Sequence, residues 1–263
     1  MEQFLQSFPV FLLIFCRITA FFVVVPPFSL RGVPNTFKIG LGFFISLIVF
    51  LTYGVNQSIP ADAQYILFVI REVLLGLLMG FLVYLFFTVV QTAGALMDLQ
   101  IGFAMANIVD PMTGISSPML GNFKYMLLIM VFLLMNGHHY LLTALMDSYQ
   151  WVPLSNELFG RFAEGNLTEY LTRALGNTFV LALQMASPIV IALFLTDVGL
   201  GFLAKTAPQY NVFVVGIPLK IIVGLFVLFL MMPGMAMLFE RLLGIMFDNL
   251  NQLLGIIRGA DSQ

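Results

Sequence analysis

Residues 66–97 read ILFVIREVLLGLLMGFLVYLFFTVVQTAGALM, and this stretch decides the fold class. Its only charged residues are Arg71 and Glu72. As one helix it would extend about 48 Å, since each residue adds about 1.5 Å. The hydrocarbon core of a bilayer is only about 30 Å thick. We therefore predict a membrane helix that tilts, bends or projects beyond the hydrocarbon.

The composition of the whole chain also indicates a membrane protein. Of 263 residues, 60% are hydrophobic and 9% are charged, and the mean hydropathy is +1.02. A soluble domain carries about a quarter charged residues, because water must solvate its surface. Lipid or apolar subunits must therefore surround this chain. The net charge of -2 gives no reason to expect a nucleic-acid partner, and the single cysteine excludes an intrachain disulfide.

The remaining apolar segments complete the predicted architecture. We predict an all-α polytopic protein, because lone strands cannot satisfy their backbone in lipid and the alternation of a membrane barrel is absent. About six helical segments are expected, at residues 8–28, 39–55, 66–97, 123–146, 174–196 and 212–232. Arg31 and Lys38 predict a cytoplasmic first loop, but the later loops carry little positive charge. Either partners set the topology, or the chain does not sit in the bilayer as a permease does.

Residues 98–122, DLQIGFAMANIVDPMTGISSPMLGN, do not fit a simple helix. Glycines, prolines and an Asp-Pro pair interrupt any helix, yet the segment is too apolar for an aqueous loop. Irregular backbone cannot face lipid, so we predict a loop that is buried in protein or lines a cavity. A broken helix in a bundle core is the alternative. Met105, Met112, Met119 and Met126 recur every seven residues and would suit either a deformable seal or ordinary gap filling.

Ionisable residues in apolar segments are functional candidates by default. They are Arg17, Arg71, Glu72, Asp98, Asp197 and Lys220. Arg71 and Glu72 lie near a helix start and are expected to reach the membrane interface. The last three lie near segment ends, where an interface or a subunit contact is expected. No catalytic or metal-binding motif is present, so we predict neither an enzyme nor a cofactor. Adjacent histidines, His138 and His139, point about 100° apart on a helix and are expected near a helix end.

Several motifs together resemble the FliR family of flagellar export gate proteins. They are QTAG at 91–94, DLQIGF at 98–103, ANIVDP at 106–111, FSLRGVPNTFK at 28–38, NGH at 136–138 and APQYNVFVVGIPLK at 207–220. Their order, the chain length and the hydropathy all match, so the resemblance covers nearly the whole chain. It implies one FliR-type domain over 1–263. Residues 1–173 would form a FliP-like part that contains the loop 98–122, and residues 174–263 a FliQ-like hairpin and tail, connected around 199–211.

The resemblance also implies a function and partners. Members assemble with FliP and FliQ into a hetero-oligomeric channel for unfolded flagellar proteins, in the bacterial inner membrane at the flagellar basal body. FlhB and FlhA lie next to this gate, and lipid surrounds it. An internal loop acts as a plug together with a methionine gasket. By position, the plug and gasket residues here are Phe103, Met105, Asn107, Asp110, Pro111, Met112, Gly114, Pro118 and Met119. Motif residues expected at subunit contacts are Gln91, Gly94, Asp98, Gln100, Pro208, Gln209, Asn211, Pro218 and Lys220.

Two other classes of protein stay open at this point. A self-contained secondary transporter would use Asp98, Asp197 or Lys220 as coupling groups. An intramembrane hydrolase would need Ser116 or Ser117 with His138, but no motif supports it. The oligomeric state separates the first two classes, because a transporter purifies alone as a working unit and a gate subunit needs its partners.

Overall fold

A computed structural model describes residues 2–29, 32–55, 64–103, 118–154, 165–209 and 211–258. Every regular element in these ranges is a helix. The helices are α1 (Glu2–Val24), α2 (Pro26–Ser29), α3 (Asn35–Val49), α4 (Gln64–Ile101), α5 (Met119–Leu134), α6 (Gly137–Trp151), α7 (Asn166–Thr206) and α8 (Val212–Arg258). A π-helical turn, Phe50–Gly54, continues α3. The predicted all-α fold is confirmed.

The chain forms two compact units that alternate along the sequence. Unit 1 consists of residues 1–85, 136–175 and 243–263, and unit 2 consists of residues 86–135 and 176–242. The long helices α4, α7 and α8 each contribute residues to both units. The predicted division at 173/174 is a different one, because it separates a part similar to FliP from a hairpin similar to FliQ. It stays a prediction.

In unit 1, α1 packs against α3 and against the first half of α4. Leu13, Ile14 and Ile18 of α1 are fully or almost fully buried. A Cβ atom on Gly76 would lie 2.2 Å from the carbonyl oxygen of Arg17, and one on Gly80 would lie 2.9 Å from Val24 Cβ. The two glycines spaced as GxxxG therefore let α4 approach the backbone of α1 closely.

In unit 2, the second half of α4 packs against α5. Phe87 is buried, and its ring makes edge-on contacts with the rings of Tyr125 and Phe132 at centroid distances of 6.2 and 5.6 Å. Further along α4, Ala93 and Met97 are fully buried. A Cβ atom on Gly224 of α8 would lie 2.7 Å from a side-chain atom of Ile101, so α8 also reaches the end of α4.

Within the described ranges, five helices are long and apolar enough to cross a membrane, and the pair α5–α6 makes a sixth if it counts as one broken span. This number agrees with the six predicted segments. The fourth segment differs from the prediction, because it is interrupted at Met135–Asn136, where Asn136 has a left-handed φ of 56°. His138 and His139 follow in the first turn of α6.

The end of α7 also differs from the prediction. The predicted connection at 199–211 was too long, since α7 continues to Thr206 and the turn begins only at Ala207. Gly199 and Gly201 lie inside this helix, and a Cβ atom on either would meet nothing within 4 Å. Pro188, Pro218 and Pro233 all lie inside helices, which is common in membrane helices because neighbouring groups satisfy the freed carbonyls.

Candidate functional site

The candidate site consists of the described residues of unit 2 on either side of the segment 104–117, which the sequence predicts to be irregular. We define the loop frame as the end of α4 with its following turn, residues 94–103, and the beginning of α5, residues 118–124. Phe103, Pro118 and Met119 are the predicted plug and gasket residues that belong to it. The others, Met105, Asn107, Asp110, Pro111, Met112 and Gly114, lie outside the described residues, as do Ser116 and Ser117.

The end of α4 is defined by a glycine. Gly102 has a φ of 99° and donates its N–H to the carbonyl oxygen of Asp98 at 3.1 Å. A positive φ costs glycine little and other residues much more, so Gly102 ends the helix after Ile101. Phe103 follows this turn and is half-buried. The irregular segment predicted from residue 98 therefore begins only after Ile101.

The beginning of α5 receives its cap from another helix. Pro118 precedes α5 and its side chain makes no capping hydrogen bond. Instead, the N–H of Leu120 donates to both carboxylate oxygens of Asp98, at 3.2 and 3.1 Å. The first N–H groups of a helix have no intrahelical partner, and Asp98 supplies one from α4. Asp98 is only 4% exposed, so this bond is shielded from solvent.

Two glycines bring the helices of the loop frame into backbone contact. A Cβ atom on Gly94 would lie 2.1 Å from the Cα atom of Gly121. A Cβ atom on Gly121 would lie 3.0 Å from the carbonyl oxygen of Gln91. Any larger residue at position 94 would separate α4 from α5. Glycine is therefore required there if Asp98 is to reach the N–H of Leu120.

Lys124 is a buried cation that the sequence analysis missed. It is 1% exposed, and its Nζ atom donates to Met97 Sδ at 2.9 Å. It is also close enough to Asp98 for the two opposite charges to attract each other. Its position inside the predicted span at 123–146 could have revealed it, because a lysine within an apolar segment is rare and usually paired.

One face of α5 exposes methionines. Of the four methionines spaced by seven, Met119 and Met126 are described, and they are 70% and 71% exposed. Phe123, Met130 and Leu133 are also exposed and lie on the same helix face. Of the predicted plug and gasket residues that the structure describes, Phe103 and Pro118 are half-buried and Met119 is exposed.

The residues predicted at subunit contacts divide into two groups. Gly94 and Asp98 are buried inside unit 2, and Gln91 and Gln100 are half-buried. Pro208, Gln209, Asn211 and Pro218 are exposed at the turn between α7 and α8 and in the first turns of α8. Asn211 accepts the N–H of Phe213 at 3.2 Å through its side chain and so caps α8. A contact role for either group stays a prediction.

Asp197 and Lys220 form an ion pair between α7 and α8. Lys220 Nζ lies 2.8 Å from Asp197 Oδ1. The side chain of Asp197 is 42% exposed, and that of Lys220 is 22% exposed. This pairing gives both charges a structural partner within the hairpin. It does not by itself require the coupling role that a transporter would give them.

Unit 1 contains a buried ionic network. The Nε atom of Arg17 donates to Glu72 at 2.6 Å. Its Nη1 atom donates to the carbonyl and hydroxyl oxygens of Ser148 at 3.2 and 3.1 Å, and its Nη2 atom to the carbonyl of Val152 at 3.0 Å. The guanidinium also lies over the Tyr149 ring, 4.1 Å from its centroid. Arg17 therefore binds the carbonyl groups at the end of α6, where a cation is favourable.

The prediction that Arg71 and Glu72 reach the interface was wrong. Glu72 is fully buried and Arg71 is 3% exposed, and Arg71 donates to Glu72 at 3.2 Å. The physical reason is Arg17, because its cation inside α1 makes a buried carboxylate on α4 favourable. In the described ranges, no three His, Cys, Asp or Glu side chains lie close enough to hold a metal ion.

Comparison with known proteins gives the family. The profile of the family described as "Bacterial export proteins, family 1" matches residues 8–246. The chain is 37% identical to the flagellar biosynthetic protein FliR of Bacillus subtilis (strain 168), over 98% of this chain and 99% of that protein. The chain belongs to the FliR family of bacterial export proteins.

Other FliR-family proteins show how widely the similarity extends. The flagellar biosynthetic protein FliR of Escherichia coli (strain K12) is 30% identical over 96% of this chain and 95% of its own length. The surface presentation of antigens protein SpaR of Shigella sonnei is 27% identical over 86% of this chain and 87% of its own length. The chain therefore shares nearly its full length with flagellar relatives and most of it with SpaR, and the resemblance found in the motifs is confirmed.

Proposed function

We propose that this chain is a non-enzymatic subunit of the flagellar type III export gate. The observation that carries the proposal is the full-length similarity to FliR proteins. In this role the chain forms, with FliP and FliQ, the channel for unfolded flagellar subunits. The complex lies in the bacterial inner membrane at the flagellar basal body, next to FlhB and FlhA.

The surface of the hairpin supports a role in a hetero-oligomer. In the most apolar 18-residue stretches of α7 and α8, only 28% and 17% of the stretch is buried, whereas 61% is buried in the corresponding stretch of α4. Phe226, Phe229 and Leu230 are 61 to 72% exposed on α8. Lipid or apolar helices of other subunits must cover such surfaces.

A tagged pull-down from membranes in mild detergent, followed by mass spectrometry, tests the subunit role. We expect FliP-like and FliQ-like proteins to be recovered with the chain in stoichiometric amounts. Recovery of the chain alone, stable and monodisperse, would contradict the proposal and favour a transporter. In that case Asp197→Asn and Lys220→Met become the variants to test for coupling.

We further propose that residues 104–117, with Phe103 and Met119 beside them, act as the plug of this channel. The apolar and helix-breaking sequence of the segment supports this role, as does its match in position to the family's plug. Deletion of part of 114–120 should leave the complex assembled and make membranes leak ions, measured as potassium efflux from cells or vesicles. Deletions that stay tight to ions but block assembly would show that the segment is structural.

A further inference from the structure

The loop frame contains a carboxylate whose bonding partner is the backbone of a neighbouring helix. We propose that Asp98 is a positioning residue that caps α5 and thereby fixes the end of α4, with Phe103, relative to Met119. The inference deepens the proposed function and rests on it for its consequence in export. It concerns only the described residues of the loop frame.

The need for such a cap follows from the beginning of α5. Pro118 occupies the capping position with φ -58° and ψ 121°, and a proline side chain has no oxygen to accept an N–H. Serine, threonine, aspartate and asparagine normally do this. Met119 in the first turn is 70% exposed, but Leu120 is only 6% exposed, so water is a poor substitute as the partner of the Leu120 N–H. Asp98 fills this role from the last turn of α4.

The carboxylate adds something that the glycine contact does not. Gly94 and Gly121 allow α4 and α5 to approach closely, but a contact between two glycines has no directional bond. A hydrogen bond from Leu120 to both oxygens of Asp98 is directional, and it holds only one register of the two helices. A negative charge at a helix N-terminus is also favourable in itself.

Lys124 has a different role in the same frame. It lies one turn beyond Leu120 and donates to the sulfur of Met97, a weak acceptor. Its cation offsets the buried charge of Asp98, but it makes no bond to the first turn of α5. Neutralising Lys124 should therefore leave the capping geometry in place.

The test measures the distance between spin labels at Phe103→Cys and Met119→Cys in the complex with its partners, in a Cys16→Ser background. We expect Asp98→Ala to broaden the distance distribution and shift its maximum. Asp98→Asn, which keeps an acceptor oxygen, should retain the native distribution, and so should Lys124→Met. Leu99→Ala is the matched control, because this neighbour is 65% exposed.

A local cap provides the rescue. In the double variant Asp98→Ala with Pro118→Ser, the serine at position 118 can cap α5 itself, and the native distance should return. If Asp98→Ala alone fails to assemble, recovery of assembly by Pro118→Ser serves as the same test. An unchanged distribution in Asp98→Ala, loss of the native distribution in Asp98→Asn, or failure of the rescue would overturn the proposal.

Ion leakage separates this inference from the plug. If residues 104–117 form the plug, Asp98→Ala should leak potassium as a deletion within 114–117 does, and the rescue variant should be tight. A tight deletion would refute the plug and leave the distance result to decide on Asp98. A leaking deletion together with native distances in Asp98→Ala would refute only the positioning role.

Discussion

Single residues with special bonding requirements determine where the helices of this chain meet. Arg17 is the clearest case, because one planar guanidinium joins α1 to Glu72 of α4 and to the end of α6. Lysine carries the same charge but cannot reproduce this fork of donors. In unit 2, the anionic side chain of Asp98 joins two helices in a similar way, because it accepts an N–H at the beginning of α5.

Replacing Arg17 should strongly destabilise unit 1. Arg17→Met removes the Nε donor to Glu72, which then keeps only Arg71, and it removes the donor to the carbonyl of Val152. Breaking a buried ion pair in this way costs about 3–5 kcal/mol. Thermal unfolding of the tagged chain in detergent checks this. Arg173→Met is the control, because its pair with Glu169 is 74% and 62% exposed and contributes about 0–1 kcal/mol. Equal losses in both variants would contradict the role of the network.

The left-handed backbone at Asn136 makes a second prediction at this scale. Asn136 has a φ of 56°, a conformation that asparagine tolerates and that β-branched residues adopt at a cost of about 1–2 kcal/mol. Asn136→Val should therefore lower the unfolding temperature, whereas Asn136→Gly should keep it or raise it. Both variants are measured in the same thermal assay. A stable Asn136→Val chain would mean that the break between α5 and α6 can relax.

At the scale of elements, glycine contacts decide how closely the helices approach. In unit 1, Gly76 and Gly80 allow close contact between α4 and α1. In unit 2, Gly94 and Gly121 allow close contact between α4 and α5. Many other glycines of the chain have open space around them, among them Gly199 on α7. Sequence alone does not separate the two kinds, since both lie in apolar helices.

Gly94→Ala should destabilise unit 2, because the new methyl group would lie 2.1 Å from Gly121 Cα. Overpacking of this kind costs about 1–3 kcal/mol, and the separation of α4 from α5 would also stretch the bond between Asp98 and Leu120. Limited proteolysis of the detergent-solubilised chain measures the effect. Gly199→Ala, which meets nothing within 4 Å, is the matched control and should be neutral or slightly stabilising. The same protease sensitivity in both variants would rule out a tight contact at Gly94.

At the scale of the whole molecule, core and surface of α8 serve different purposes. Leu250 is fully buried in unit 1, whereas Phe229 is 72% exposed in unit 2. The first stabilises the chain itself, and the second is available to subunits or lipid.

Two alanine variants should separate folding from assembly. Leu250→Ala should lower the stability of the chain by about 2–5 kcal/mol through the cavity that it leaves, and thereby reduce its amount in membranes. Phe229→Ala should leave stability unchanged and reduce the recovery of FliP-like and FliQ-like proteins in the pull-down. Unchanged recovery with Phe229→Ala would assign that face of α8 to lipid.

The sequence by itself determined the all-α fold, the number of spans and the family. Long apolar runs leave the backbone no alternative to helix in lipid, and the motifs from Gln91 to Pro111 and from Ala207 to Lys220 identify the relatives. The predicted spans ended at residue 97 and began at residue 123, each four residues from the observed end of α4 at Ile101 and the observed start of α5 at Met119.

Only the tertiary structure decided which charges are buried and what they bind. Glu72 was expected at the interface because it lies near the start of a helix, which can be recognised from the neighbouring sequence. Arg17, which makes the burial of Glu72 favourable, is 55 residues away in the sequence. Asp98 and Leu120 are similarly separated by 22 residues, and Lys124 reaches Met97 across 27. Such pairs depend on how helices pack, and hydropathy and spacing along one segment carry no information about that packing.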